Sequence, residues 1–241
     1  MNEYPGNKKY KIIKKLNEGG FGSTYKVYNS EDHNYYCIKK ISIKDKTEEE
    51  KNKILQEAKI LSKLNNKYIV KYYESFFYDD SFNIIMELCV SDLKKYINEQ
   101  KSNQNLIDKN LIYNWILEIY LGIKEIHSNN LIHRDLKPEN LFLTYEKKIK
   151  IGDFGIAKEL NNIQEYSNTQ IGTLPYMAPE ILKNEIYDKK VDIWSLGCII
   201  YELCTLDVCF KSVINTLNCS YGKINIRLYD FASRFNKYYI K

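Results

Sequence analysis

The sequence predicts an α+β chain of two lobes, a small β-rich one followed by a mainly helical one. Short apolar runs broken by turns fill residues 10–43 and return over 67–89, which is strand spacing. From about residue 92 the apolar positions recur at helical spacing instead. The length, 241 residues with 44% hydrophobic and 28% charged, is ample for a buried core in one large domain or two small lobes.

The segments YKIIKKL, STYKVYN and YYCIKKISI read as three strands within 10–43. Residues 47–64 read as a helix: Thr47 and Glu50 form a capping box, and Ile54, Leu55, Ala58, Leu61 and Leu64 make its apolar face. KYIVKYYESFF and SFNIIMELC read as two further strands, with the lobe boundary near Cys89–Asp92. The polar stretch 97–105 reads as a loop. In 110–127, Ile112, Trp115, Ile116, Ile119, Ile123 and Ile126 form one helical stripe, and DIWSLGCIIYEL from Asp192 reads as a buried helix.

Composition excludes several function classes. A net charge of +5 without a clustered basic stripe does not point to nucleic acid. No apolar run approaches the ~18 residues of a membrane span, and MNEYPGNKKY has no signal-peptide core. The six cysteines show no paired CxxC, so the chain is expected to be reduced and intracellular. Gly and Pro are scarce, at 10 and 4, yet six of the Gly fall in 19–22 and 152–172 and three of the Pro in 138–179. Backbone punctuation is therefore concentrated where a site is expected.

Five constellations carry chemistry. NEGGFGSTY, residues 17–25, places glycines where a backbone can approach phosphate oxygens, although a glycine-rich hairpin turn accounts for it equally well. Lys39, on the following strand, reads either as a solvated face or as a phosphate contact partnered by Glu57 in the next helix. HRDLKPEN, residues 133–140, is the most specific. Asp135 can accept a hydroxyl proton, Lys137 can neutralise a transferring phosphoryl group, and Asn140 can offer a neutral oxygen to a metal. Asp153 of DFG reads either as a strand-end cap or as a carboxylate converging with Asn140 on one Mg²⁺. GTLPYMAPE, residues 172–180, reads as an ordered loop, and Asp192 as a structural anchor.

In this order and spacing the residues resemble the protein kinase family, from about residue 10 to about 205. Lys137 within HRDLKPEN, with Thr173 before APE, resembles the serine/threonine type. HRDLKPENLFLT, IGDFGIAK and the MELC hinge are most similar to NIMA-related kinases. The resemblance implies a two-lobed protein-kinase-like fold and a single domain over 1–241. The lobes would be 10–89 and 90–241, the second incomplete after about 205. It implies ATP and Mg²⁺ as cofactors, with ATP lying between the lobes. Its adenine would lie against Glu87–Cys89, with Cys37 as roof and Phe142 as floor. Asn17, Gly19, Gly20, Gly22 and Thr24 would line the phosphate loop. Lys39, held by Glu57, would bind the α/β-phosphates, while Asn140 and Asp153 would hold Mg²⁺. Asp135 would orient the acceptor hydroxyl and Lys137 would stabilise the γ-phosphoryl. Tyr72, Leu61, Phe154 and His133 would stack as an internal spine.

The implied partners are protein substrates with Ser or Thr acceptors. Thr is preferred because Ile156 resembles the β-branched residue found after DFG in Thr-preferring kinases. Arg134 is expected to receive a phosphate on Thr169, or else on Ser167, placed there by an upstream kinase or by trans-autophosphorylation. Tyr166 lies in the same segment, and Thr173 reads as a structural hydroxyl near Asp135. The expected location is the cytoplasm, with cytoskeletal or nuclear sites as alternatives.

Three departures qualify the match. Asn17 and Thr24 replace the first Gly and the Val of the glycine loop, and Asn tolerates left-handed backbone there. No Gly-Gly precedes Asp92, which argues against a ribose contact at that carboxylate. Only 37 residues follow Cys204, about half of what the family uses to finish its helical lobe, so Glu180 has only Arg227 or Arg234 as a later arginine partner. The competing expectation is a kinase-like scaffold or truncated product that binds nucleotide without transferring phosphate.

Overall fold

The computed structural model describes residues 9–19, 22–153, 174–211 and 216. They fall into two units. The first holds the described residues up to Val90 and returns for 142–153; the second holds Ser91–Leu141 and the described residues from 174 onward. The division falls between Val90 and Ser91.

The first unit is built on strands β1 (Tyr10–Gly19), β2 (Gly22–Asn29), β3 (Tyr35–Ser42), β4 (Tyr72–Tyr78) and β5 (Ser81–Glu87). They form one antiparallel sheet in the order β1-β2-β3-β5-β4. Gly22, opposite Gly19, has φ +124°, and a Cβ there would lie 2.2 Å from the Lys40 carbonyl oxygen. Only glycine fits that position. The strand expected from residue 67 starts later, at Tyr72. The preceding residues instead run beside β8 (Ile149–Ile151), with Val70 N–H on Ile151 O and Ile151 N–H on Tyr68 O, both 2.8 Å. β8 forms a hairpin with β7 (Leu141–Leu143), and Val90 N–H reaches Leu143 O at 2.9 Å.

Between β3 and β4 comes helix α1 (Glu48–Leu61). Its capping box forms as expected, with Glu50 N–H on Thr47 Oγ1 at 3.3 Å and Thr47 N–H on Glu50 Oε2 at 2.7 Å. Ile54, Ala58, Leu61 and Leu64 are buried as expected, but Leu55 is 39% exposed. One position on from Ile54, it is turned about 100° away from the face the sheet covers. Ile54 and Ala58 pack with Ile41, Phe82 and Ile84 on one sheet face, whereas Tyr10, Val27, Ile38 and Ile85 form the core of the other. The period of two along β3 therefore places Cys37 and Lys39 on the Ile41 face, the one α1 packs against.

The second unit begins with a two-residue strand, β6 (Ser91–Asp92), and helix α2 (Leu93–Ser102). The loop expected at 97–105 is thus corrected: through Ser102 the chain is helical. Asp92 caps it by accepting from Lys95 N–H at 2.9 Å, and Leu93 and Ile97, four apart, are buried. The polar residues that suggested a loop form the solvated face. Helix α3 (Lys109–Ser128) buries the whole expected stripe from Ile112 to Ile126. After the short helix α4 (Pro179–Leu182), helix α5 (Lys190–Thr205) buries Val191, Leu196, Cys198, Ile199 and Leu203, and a left-handed Leu206 ends it.

Candidate active site

The second unit carries residues 133–140. Their backbone is held by Asp192, in the first turn of α5. Its buried carboxylate accepts from His133 N–H at 2.9 Å and Arg134 N–H at 3.0 Å, and lies 2.8 Å from His127 Nε2. Asp192 is therefore the structural anchor expected. It holds Arg134 at φ +66°, a backbone conformation that non-glycine residues seldom adopt without support. Asp135 N–H in turn meets His133 Nδ1 at 3.3 Å.

Asp135, Lys137 and Asn140 are all buried and meet one another. Lys137 Nζ lies 3.1 Å from Asp135 Oδ2, and Asn140 Nδ2 donates to Asp135 O at 2.8 Å and to Oδ2 at 3.1 Å. The short 3-10 turn Pro138–Asn140 makes this contact possible by returning Asn140 to Asp135. Burying a carboxylate and an ammonium together costs several kcal/mol per ion before their attraction is counted. Such an arrangement is expected where chemistry needs it. Asn140 Nδ2 is thus committed to Asp135, which leaves its amide oxygen as the atom that could meet a cation. Arg134 is exposed, and its guanidinium lies over the Tyr187 ring, 5.7 Å from the centroid.

The first unit carries Lys39 and Asp153, which form an ion pair. Lys39 is 15% exposed and Asp153 47%. Gly152, just before Asp153, packs so tightly that a Cβ would lie 2.8 Å from Val70 Cγ2 and 2.9 Å from Phe142 Cε2. Lys39 and Asp153 line a cavity of about 20 Å³ together with Leu61, Tyr72, Ile84 and Met86. That volume accommodates about one water molecule.

Cys37 pairs with Met86 in the sheet register. Burial pushes its thiol up to about 12, and burial likewise pushes the Cys89 thiol up to about 12. Both are neutral at ordinary pH and offer apolar, polarizable surface. The Glu87 carboxylate is held by Lys150 Nζ at 2.8 Å and by Lys71 N–H at 3.2 Å. Thr24 stands opposite Lys39, and Asn17 opposite Thr24. Asn17 is not in the left-handed region anticipated for it. It lies within β1, beside an irregularity in the register, and its Oδ1 accepts from Glu18 N–H at 2.9 Å.

Several expected residues lie outside the described ones: Gly20, Phe154, Ile156, Tyr166, Ser167, Thr169, Thr173, Arg227 and Arg234. Glu57 lies in α1, but its side chain is outside the described part, as is any pairing with Lys39. Conversely, sequence reasoning overlooked a polar cluster in the second unit. Lys94 Nζ lies 2.6 Å from Glu202 Oε1, and Tyr176 OH donates to Glu202 Oε2. Among the described residues, the buried Glu139 Oε2 has no hydrogen-bond partner. The available signal was a lone Glu inside the apolar run IIYELC of α5.

The sequence pattern of the protein kinase domain matches residues 10–236. This chain belongs to the protein kinase family. Its β-sheet unit and helical unit are those of the two-lobed kinase fold, and use of ATP and Mg²⁺ is general in that family. The kinase chain is similar to the serine/threonine-protein kinase Nek1 of Mus musculus, with 40% identity over 85% of this chain and 17% of that protein. It is also similar to Nek5 of Homo sapiens, with 41% identity over 82% of this chain and 28% of that protein. The probable serine/threonine-protein kinase nek2 of Dictyostelium discoideum is 38% identical over 84% of this chain and 50% of that protein. The kinase chain thus spans between about a sixth and a half of the length of these relatives. Among the described residues no helix is long and apolar enough to cross a membrane.

Proposed function

We propose that the chain is a serine/threonine protein kinase, transferring the γ-phosphoryl group of ATP to Ser or Thr hydroxyls of protein substrates. The observation that carries this reading is the buried Asp135–Lys137–Asn140 cluster on a backbone anchored by Asp192. Family membership and the resemblance to Nek-type kinases support it. Residues 10–89 and 90–241 act as the lobes of one kinase domain.

In this reading Asp135 receives the acceptor's proton and aligns the hydroxyl oxygen, and Lys137 offsets charge on the transferring group. The donor set fits magnesium, which favours few carboxylates plus amide and phosphate oxygens: Asp153 is a half-exposed carboxylate and Asn140 offers an amide oxygen. When bound, the ion supplies neutralisation of phosphate charge. Lys39 neutralises the α/β-phosphates, with Glu57 as its support. The apolar Cys37, the Glu87–Cys89 stretch and Phe142 line the adenine, and Asn17, Gly19, Gly20, Gly22 and Thr24 cover the phosphates. ATP with Mg²⁺ is expected to raise the melting temperature of the chain, since a ligand that binds only the folded state stabilises it by about 2.7 kcal/mol at 100 times its Kd. Asp153→Asn is expected to remove most of that rise; an equal rise in both proteins contradicts the assignment.

Arg134, exposed beside the buried Asp135, is the proposed receptor for a phosphate on Thr169 or Ser167. An upstream kinase or a second copy of this chain places it, and Thr173 serves as a structural hydroxyl. Ile156 favours Thr over Ser acceptors. Paired peptides differing only in the acceptor are expected to show faster transfer to Thr, and Thr169→Ala to lower activity on both; equal rates and full activity refute these two assignments.

A further inference from the structure

The start of α5 fixes two side chains beside each other, Arg134 and Tyr187. Arg134 has a left-handed backbone at φ +66°, and its N–H donates to Asp192 Oδ1 at 3.0 Å. Tyr187 lies on the segment that leads into the helix. That segment is held by contacts of its own. Asp188 Oδ1 accepts from Lys190 N–H at 2.8 Å, and Asp192 N–H reaches Lys189 O at 3.3 Å. Lys189 Nζ donates to His127 O at 2.5 Å, and the His127 ring meets the same Asp192 carboxylate at 2.8 Å. The backbones around Arg134 and Tyr187 are therefore both tied to the first turn of α5. Between them the Arg134 guanidinium lies over the Tyr187 ring, 5.7 Å from its centroid.

The pairing suits a receptor for an oxyanion. Arg134 is exposed and, among the described residues, has no ion pair, whereas nearby Lys137 is paired with Asp135. Left to itself, a long arginine stem samples many rotamers, and binding an anion must freeze them. A guanidinium over an aromatic face within about 6 Å of the centroid is attracted by the ring. That attraction holds the group in one place and supplies no strong acceptor to compete for its N–H groups. The planar fork that grips a phosphate through two parallel hydrogen bonds stays available.

We propose that Tyr187 is a positioning residue for the regulatory phosphate, its ring holding the Arg134 guanidinium ready to grip that group. This rests on the reading of Arg134 as receptor for a phosphate on Thr169 or Ser167. It adds the residue that prepares the receptor, and it assigns that work to the ring face rather than to the phenol hydroxyl. Phenylalanine at this position keeps the face, and an aliphatic side chain loses it. Tyr187 acts only through Arg134, so its effect is absent wherever the guanidinium is absent.

The test is a double-mutant cycle read by phosphatase sensitivity. The full chain is made with phosphothreonine at position 169, and separately with phosphoserine at 167, each incorporated during translation. The rate at which a fixed amount of a serine/threonine phosphatase removes the phosphate reports how firmly it is held. Arg134→Gln is expected to speed removal by about tenfold or more in one preparation, through loss of a charge-assisted contact. In that preparation Tyr187→Leu is expected to speed removal about two- to fivefold, the size of one exposed cation–ring contact, and Tyr187→Phe to match the wild type. In the Arg134→Gln background Tyr187→Leu is expected to change nothing further. All chains are verified as folded by thermal melt, and Tyr187→Met repeats the cycle if Tyr187→Leu does not fold. Faster removal in Arg134→Gln with no change in Tyr187→Leu overturns the role of Tyr187 alone. The same gain from Tyr187→Leu in both backgrounds shows a merely structural role and also overturns it, as does a Tyr187→Phe variant that behaves like Tyr187→Leu. No change in Arg134→Gln in either preparation overturns the receptor reading, and the role of Tyr187 with it.

Discussion

Glu139 lies within the most specific motif of the sequence, yet among the described residues one of its buried oxygens has no hydrogen-bond partner. Burial raises its carboxyl above the ordinary 4.5, and the Glu202 charge adds to the rise. An acid raised in the folded state binds more protons there than in the unfolded chain. Stability therefore falls as pH rises from 4.5 through the folded value. Glu139→Gln removes that loss, so the variant is expected to melt higher than wild type at pH 7, with the gap closing below pH 4.5. Thermal melts across that range check it, and a variant that melts lower at pH 7 shows that the carboxylate is stabilised by contacts other than those described. Asp192 is a buried carboxylate of another kind: its oxygens accept from the His133 and Arg134 N–H groups and lie 2.8 Å from His127 Nε2.

The link from α5 to residues 133–135 runs through that carboxylate, so one helix sets the backbone of the segment that carries Asp135. Asp192→Asn turns an acceptor-only group into one that points a donor at other donors. Hydrogen bonds to charged groups contribute about 1.5–3 kcal/mol each, and the expected loss of folding stability is about 3 kcal/mol. Denaturant titration measures it, and a loss under about 1 kcal/mol shows that other contacts hold the segment. Elements defined by local rules were legible in the sequence. The Thr47–Glu50 box starts α1, and the Ile112-to-Ile126 stripe lies on one face of α3, because each signal is complete within one or two turns. Polarity hid helix α2, whose evidence was only Asp92 and the Leu93–Ile97 pair. Leu55 was misassigned because a sequence pattern does not say how wide a face the sheet covers. Contacts distant along the chain were not legible at all: Lys94 meets Glu202 across 108 positions that share no local signal.

Over the whole molecule, the motif residues that were legible are divided between the two units. Lys39 and Asp153 pair in the first, and Asp135, Lys137 and Asn140 cluster in the second. Their order along the chain was enough to point to phosphoryl transfer, because each residue type answers one requirement of that reaction. The overlooked carboxylates, Glu139 and Glu202, answer none of those requirements by type and became visible only through their surroundings. The central claim is that the residues of both units serve one transfer, with Asp135 receiving the acceptor's proton. The measurement that tests it most directly is transfer of labelled phosphate from ATP with Mg²⁺ to casein, comparing the wild-type chain with Asp135→Asn, both verified as folded by thermal melt. The predicted result is transfer by the wild type that falls by about 10²–10⁴-fold in the variant. Equal transfer by both, or none from the folded wild type even after treatment with an upstream kinase, contradicts it.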